Sequence, residues 1–204
     1  HETGILIQGM NFNPFLFKGT VFSTGGYSAL YGQALSSALI LESKDLPEKS
    51  EADLGISVVG IGGGLQHLAK DKKSSWGFSA NYTNLILAFN VIKQKQDYFK
   101  IPVVVDGDVN FRFKTKGGGI IKLYSYFSKT NVGNRTNDID SAGMKNAFTL
   151  QNVNQYHNIS WKQPLKNKWK INTGISYSTN KDDLGNELQN ANNVKQIITT
   201  PAFY

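Results

Sequence analysis

Apolar and polar positions alternate along most of the chain from Ala52 onward. The clearest stretch runs from Trp169 to Thr179, where every second residue is apolar or threonine and the residues between them are polar or glycine. Successive side chains of a strand point to opposite sides, so one face of this segment is apolar and the other is polar. The alternation therefore predicts an amphipathic β-strand.

The same alternation, in places less regular, recurs in six other segments. The pattern predicts an all-β chain of antiparallel, up-and-down strands, seven in number. Residues 147–163 follow it unevenly, and a bulge there is one explanation because it would switch the phase. The predicted strands are 52–59, 64–70, 75–86, 103–115, 119–129, 147–163 and 169–180.

The predicted connections alternate in length. Short ones lie at Asp71–Ser74, Lys116–Gly118 and Leu165–Lys168, whereas Leu87–Pro102 and Thr130–Asn146 are long, and the Gly60–Gly63 link is an exception on the long side. A transmembrane β-barrel has this asymmetry.

A soluble β-sandwich alternates apolar and polar positions too, and a secreted sandwich that binds glycans through exposed aromatic rings is the alternative. Two features favour the barrel: charges on the polar faces, and tryptophans beside the short turns, where an aromatic girdle would meet lipid headgroups. The tryptophans are Trp76, Trp161 and Trp169.

Composition narrows the function classes. The 204 residues include 12% aromatic residues, twenty glycines and no cysteine, which excludes disulfides, thiolate zinc sites and cysteine nucleophiles. No apolar run approaches the roughly 20 residues of a membrane helix. The net charge of +7 is concentrated around turns and does not form a stripe with aromatic residues, so nucleic acid is not a predicted partner.

No group of residues predicts catalysis, a cofactor or a metal. The run Gly60–Gly64 would place Leu65 at the third glycine of a dinucleotide-binding turn, so we expect a flexible strand connection there. The three histidines are isolated in the sequence, and no nucleophile, base and stabiliser can be assembled. The chain is therefore predicted not to be an enzyme.

Asp106 and Asp108 share one side of a predicted strand with Arg112 and Lys114. Paired carboxylates can serve acid–base or metal chemistry, but no third ligand stands at metal spacing. We expect a solvated or salt-bridged polar face.

Two segments near the amino terminus resemble a known family. Asn13–Thr20 and Phe22–Ser37 are similar to the carboxy-terminal end of the plug domain of TonB-dependent outer-membrane receptors, in the form common in Bacteroidetes. The likeness rests on Gly25-Gly26-Tyr27, Tyr31-Gly32-Gln33 and Leu35-Ser36 leading into the apolar strand Ala38–Leu41. Leu30 departs from it, because relatives usually carry an acidic residue before Tyr-Gly, so no plug-to-barrel ion pair is expected at that position.

The resemblance implies a fold and a domain division. Residues 1–50 would be the end of the plug and a charged linker, and residues 51–204 the first strands of a plugged transmembrane β-barrel. The plug motif Gly25, Gly26, Tyr27, Tyr31 and Gly32 would be structural. The family barrel has about twenty-two strands, so seven would form only part of the wall, and the chain is expected to be a partial one.

The resemblance also implies a function: a receptor in the outer membrane of a Gram-negative bacterium that imports a nutrient with energy transmitted by TonB. Its partners would be outer-membrane lipid, TonB through a segment outside this chain, the remainder of the barrel and a surface lipoprotein. The ligand and its contact residues stay open. Lumen-facing candidates for contact with either substrate or plug are Asp106, Asp108, Asn110 and Arg112.

Overall fold

A computed structural model describes residues 17–23, 38–92, 97–138, 143–189 and 196–199. In chain order, the strands are β1 Phe17–Ser23, β2 Ala38–Ser43, β3 Glu51–Ser57, β4 Gly60–Leu68, β5 Ser74–Asn84, β6 Asp97–Lys114, β7 Ile120–Asn137, β8 Lys145–Pro164, β9 Lys170–Gln189 and β10 Gln196–Thr199. Among the described residues, the helix α1 Ile86–Val91 lies between β5 and β6, and a 3-10 turn, Lys166–Lys168, joins β8 to β9.

The strands form two separate sheets. β1 and β2 pair antiparallel as a two-stranded sheet, and β3 to β10 form a second sheet in which spatial order follows chain order. Every neighbouring pair in the larger sheet is antiparallel. The described part of β3 does not pair with β10, so the described sheet is not closed. The all-β, up-and-down prediction is confirmed at this level.

The seven predicted strands correspond to β3–β9, and their turns lie on two rims. The short turns after β4, β6 and β8 share one rim, because consecutive antiparallel strands reverse direction each time. A backbone hydrogen bond of 2.7 Å from Lys114 N to Lys73 O joins the first of these turns to β6. The predicted placement of 71–74, 116–118 and 165–168 on one rim is therefore confirmed.

The strands β6–β9 are longer than the alternation predicted. Residues Asp97–Pro102 and Thr130–Asn137 were expected in long loops but continue β6 and β7. Rows such as Asn131, Gln151 and Asp183 are polar on the otherwise apolar face, so the alternation stops there although backbone pairing continues. Hydrophobic period alone could not reveal this extension.

Two local expectations are wrong. Gly60–Gly64 is not a flexible connection: Val58 and Val59 form the turn, and the glycines begin β4, paired with both neighbours. β8 carries no bulge, because its register to β7 and β9 is unbroken from Lys145 to Pro164. The uneven pattern of β8 has another cause. Phe148 and Leu150 lie on the polar face near the rim opposite the short turns, which we call the long-loop rim, and the regular alternation of β8 does not extend that far.

The register gives the larger sheet one apolar and one polar face. On the apolar face, directly opposed residues form rows across neighbouring strands, one of which is Trp76, Phe111, Leu123, Ile159 and Ile175. These large apolar side chains are exposed, Phe111 at 43%. The most buried side chains of the described sheet belong mainly to the other face, so the usual relation between polarity and burial is reversed.

No described helix is long and apolar enough to cross a membrane.

Candidate functional site: the polar face of the sheet

Polar side chains of five neighbouring strands meet on one face of the larger sheet. The residues directly opposed in one row are Gly64, Ser79, Asp108, Tyr126 and Tyr156. We call this surface, with the rows on either side of it, the polar face. Asp106, Asp108, Asn110 and Arg112 lie on it in succession along β6, as predicted, and each is more than nine-tenths buried.

The two aspartates are held by side chains of β5. Ser79 Oγ donates a hydrogen bond to Asp108 Oδ2, and Asn81 Nδ2 donates one of 2.8 Å to Asp106 Oδ2. Both bonds join residues that the β5–β6 register places directly opposite each other. We expected a solvated or salt-bridged face, but around these buried aspartates the structure has cross-strand hydrogen bonds to neutral partners.

Several buried polar atoms on this face have no hydrogen-bond partner among the described residues. They include Ser75 Oγ, Asp106 Oδ1, Asn110 Oδ1 and Arg112 Nη1. Buried polar groups in folded proteins nearly always have a partner, and a cluster of such atoms that lack one is unusual. The polar face thus presents acceptors and donors that water, another segment or a polar ligand could satisfy.

One ion pair connects the polar face to the segment that follows β2. Lys122 Nζ lies 2.8 Å from Asp45 Oδ1, and the lysine side chain is only 10% exposed. Lys122 stands directly opposite Arg112 in the β6–β7 register, so Asp45 lies beside two cations of the sheet. The segment after the β1–β2 hairpin is therefore anchored on the polar face.

Sequence reasoning missed Asp45, Lys122, Tyr126 and Tyr156. The two tyrosines are aromatic and so count as apolar in an alternation pattern, although they occupy polar-face positions and are buried. Tyr124 and Tyr156, on the same face, bring their ring centroids to 6.2 Å. The position of Lys122 in phase with Tyr124 and Tyr126 could have assigned it to this face, whereas no sequence signal joins it to Asp45.

Glycines open a groove at one side of the polar face. Gly62 and Gly64 of β4 face Asn81 and Ser79 of β5, and a Cβ added at Gly62 would overlap the Asn81 amide. Gly60, Gly62 and Gly63 of β4 line a groove of about 540 Å³. Polar side chains such as Asp53, Ser79 and Asn81 and apolar ones such as Ile56, Ile61 and Tyr82 also line it, so the groove offers hydrogen-bonding groups beside apolar surface.

No group of three or more histidine, aspartate or glutamate side chains could hold a metal in the ranges the structure describes. Ser125 Oγ lies 2.9 Å from His157 Nδ1, but this pair belongs to the exposed apolar face, where the His157 ring stacks on Tyr177. His67 lies on that face as well, against Trp76.

Ion pairs and hydrogen bonds of charged side chains also connect the ends of β6–β9 at the long-loop rim. Asp97 accepts a hydrogen bond of 3.1 Å from Lys145 and lies 3.5 Å from Arg135, whose guanidinium covers the Phe99 ring at 4.4 Å. Arg135 also donates to Gln189, at 2.9 Å. The Lys145 ammonium is the main cause that lowers the pKa of Asp97, and Arg135 adds to it.

The plug motif Gly25, Gly26, Tyr27, Tyr31 and Gly32 lies outside the described residues. Its flanks are described: β1 ends at Ser23, β2 begins at Ala38, and these two residues pair. The strand expected over Ala38–Leu41 is therefore present as β2.

Searches against protein-family models, curated proteins and solved structures found no match to this chain.

Proposed function

We propose that this chain forms the end of the plug and part of the barrel wall of a TonB-dependent receptor in the outer membrane of a Gram-negative bacterium. In this proposal, strands β3–β9 belong to the wall, the apolar face contacts lipid, and the polar face lines the lumen. The receptor binds a nutrient at the outer surface and imports it with energy transmitted by TonB. It catalyses no reaction and carries no cofactor.

One observation carries the membrane part of the proposal: on the central strands β5–β7 the large apolar side chains of one face are exposed, whereas most polar side chains of the other face are buried. A membrane barrel has this arrangement, because hydrocarbon solvates its outside and water or a plug fills its inside. The apolar rows run from Phe113 to Val105 along β6, eight residue steps or about 27 Å at the usual rise per residue. A strand tilted in a bilayer needs about that length.

A soluble β-sandwich explains the exposed apolar face of the larger sheet less well than a membrane barrel does. A sandwich buries the apolar face of each sheet against a second sheet. Here β3–β10 form a single layer, and the other described sheet has only the two strands β1 and β2. An exposed apolar face of this extent favours lipid or another apolar partner over water.

Two observations support the plug part. β1 and β2 form a sheet of their own, as expected of a segment that does not belong to the wall. Asp45, which follows that hairpin, reaches Lys122 on the polar face and not on the apolar face. Together with the likeness of Asn13–Ser37 to the plug end of the family, these contacts favour a plug inside a wall.

The transported ligand would meet the polar face or the plug. The unpartnered acceptors Asp106 Oδ1 and Asn110 Oδ1 favour a polar ligand over an apolar one. The same atoms could instead bind plug residues, so the proposal assigns no ligand-binding residue.

Detergent dependence tests the proposal. We expect the purified chain to be monodisperse in a mild neutral detergent, to aggregate on its removal, and to float with phosphatidylcholine vesicles in a density gradient. Light scattering and flotation measure these properties. A chain that stays monodisperse and keeps its β-type circular dichroism without detergent or lipid would be a soluble β protein, and the membrane proposal would fail.

A further inference from the structure

The three short turns carry an unusual concentration of positive charge. Residues 69–74, 114–119 and 165–170 contain eight lysines and one aspartate within eighteen residues. All eight lysines are exposed, and none forms an ion pair within 4 Å with an acidic group of the described residues. We call these turns the lysine collar; its lysines are Lys70, Lys72, Lys73, Lys114, Lys116, Lys166, Lys168 and Lys170.

The opposite rim does not share this charge. The described residues within 85–102, 129–147 and 181–196 include five basic and five acidic ones, so their formal net charge is zero compared with +7 for the collar. Basic residues of that rim also pair with acidic ones, as Lys145 and Arg135 do with Asp97. The linker from Lys44 to Glu51 reaches the collar rim, but its two lysines and three acidic groups change the collar charge little.

The lysine collar concentrates its positive charge in a small area. The turns are two strands apart, which is about 10 Å at the usual strand spacing. This distance is comparable with the Debye length at physiological ionic strength, so the potentials of the turns add. The one acid, Asp71, accepts a hydrogen bond from Lys73 N within its own turn.

Aromatic residues stand at the same level. Trp76 and Trp161 are on the apolar face in the rows nearest the collar, and Trp169 lies in the turn itself with 73% of its surface exposed. Tryptophan favours the interface between headgroups and hydrocarbon. Lysines with long apolar stems extend from the same level into the headgroup layer.

We infer that the lysine collar binds the headgroups of anionic phospholipids and thereby fixes the depth of the wall in its membrane. This inference rests on the proposed function, since it places the apolar face in lipid. The charge complementarity selects anionic over zwitterionic headgroups, because only the former attract an uncompensated cluster of lysines. The collar rim would lie at the leaflet that holds such lipids.

The three tryptophans make the test direct, because the chain contains no other. The chain is reconstituted in two sets of phosphatidylcholine vesicles. One set contains phosphatidylglycerol brominated near the headgroup, and the other contains the same fraction of phosphatidylcholine brominated at the same position. Tryptophan quenching is measured in both. We expect brominated phosphatidylglycerol to quench about twofold more strongly at low salt. This preference should shrink in 0.5 M NaCl, which screens the attraction.

Matched variants identify the residues responsible. The triple variant Lys73→Gln, Lys116→Gln and Lys166→Gln removes one charge from each turn and should lower the preference markedly. The control triple Lys100→Gln, Lys129→Gln and Lys181→Gln removes three exposed charges from the other rim and should keep it. Circular dichroism checks that both variants fold, and the salt dependence of the unmodified chain supplies a test that needs no variant.

The outcomes separate the two proposals. Equal quenching by both lipids in the unmodified chain, or a preference that survives in the collar variant, would overturn the lysine collar as a lipid-binding surface while leaving the membrane location intact. Absence of quenching by either lipid would overturn the membrane location itself.

Discussion

At the scale of single residues, the environment of a side chain depends on which face of the sheet it points to, and alternate residues of a strand point to opposite faces. On β6, Val109 and Phe111 are exposed and their neighbours Asp108, Asn110 and Arg112 are buried. In water this arrangement would be costly, because apolar surface stays hydrated while polar groups lose their solvent. Lipid outside and polar partners inside reverse both costs.

A pair of arginine substitutions tests this reversal. Val109 is near the middle of the apolar rows, and Val109→Arg should cost roughly 2–4 kcal/mol of folding free energy in a bilayer. Ser178, at nearly the same depth on the polar face, is the control, and Ser178→Arg should cost little because that face is polar. Urea titrations in phosphatidylcholine vesicles measure both values. Similar costs at the two positions would contradict the face assignment.

The Asp97 carboxylate allows a prediction about pH. Its pKa is lowered chiefly by Lys145, so its stabilising contribution is present above the unfolded-state pKa of about 4 and is lost as pH falls through the folded-state value. Lys145→Gln should raise the pKa of Asp97 toward its ordinary value. Carboxyl chemical shifts followed through a pH titration measure it.

Lys181→Gln is the control for that titration, because Lys181 is exposed near the same rim but is not among the groups that shift Asp97. It should leave the Asp97 pKa unchanged. An unchanged pKa in the Lys145 variant as well would mean that the ion pair at the long-loop rim does not form in solution.

At the scale of the elements, the alternation predicted the existence of β3–β9 because each contains a segment with the alternation, regular in β5, β6 and β9 and less regular in β4, β7 and β8. It could not predict where β6–β9 end, since the pairing continues into rows where the alternation is lost: Asn131, Gln151 and Asp183 are polar on the apolar face, and Phe148 and Leu150 are apolar on the polar face. It also assigned Gly60–Gly64 to a turn, because glycine is common in turns and its role in a groove depends on the neighbouring strand.

The alternation also predicted part of the candidate site. Period two placed Asp106, Asp108, Asn110 and Arg112 on one face. The hydrogen bonds from Ser79 and Asn81 depend on the β5–β6 register, and a long connection that contains α1 does not fix a register as a tight turn does. The contact of Lys122 with Asp45 joins residues far apart in sequence, and no periodicity reports it.

That contact carries a prediction about the linker before β3. Lys122→Met removes the cation that holds Asp45, so trypsin should cleave after Lys44 and Lys49 several-fold faster, because the linker opens more often. Lys129→Met, on the same strand but on the apolar face, should leave the rates unchanged. Equal rates in both variants and the unmodified chain would show that the ion pair does not anchor the linker.

At the scale of the whole molecule, the described strands form one layer whose two faces require different surroundings. A single sheet cannot bury its apolar face by itself. In the proposed receptor, lipid would cover the apolar face and a plug would lie against the polar face, and anionic headgroups would meet the lysine collar at one rim. The central claim is therefore that the apolar face contacts hydrocarbon.

A nitroxide scan of residues 171–179 in lipid vesicles tests that claim most directly, because the chain has no cysteine and each introduced cysteine is unique. Collision rates with oxygen, which concentrates in hydrocarbon, and with a water-soluble nickel complex are measured by electron paramagnetic resonance. We predict that oxygen contact peaks at the odd positions and nickel contact at the even positions. Equal contact with the nickel complex at both parities would mean that both faces meet water, and would contradict the account.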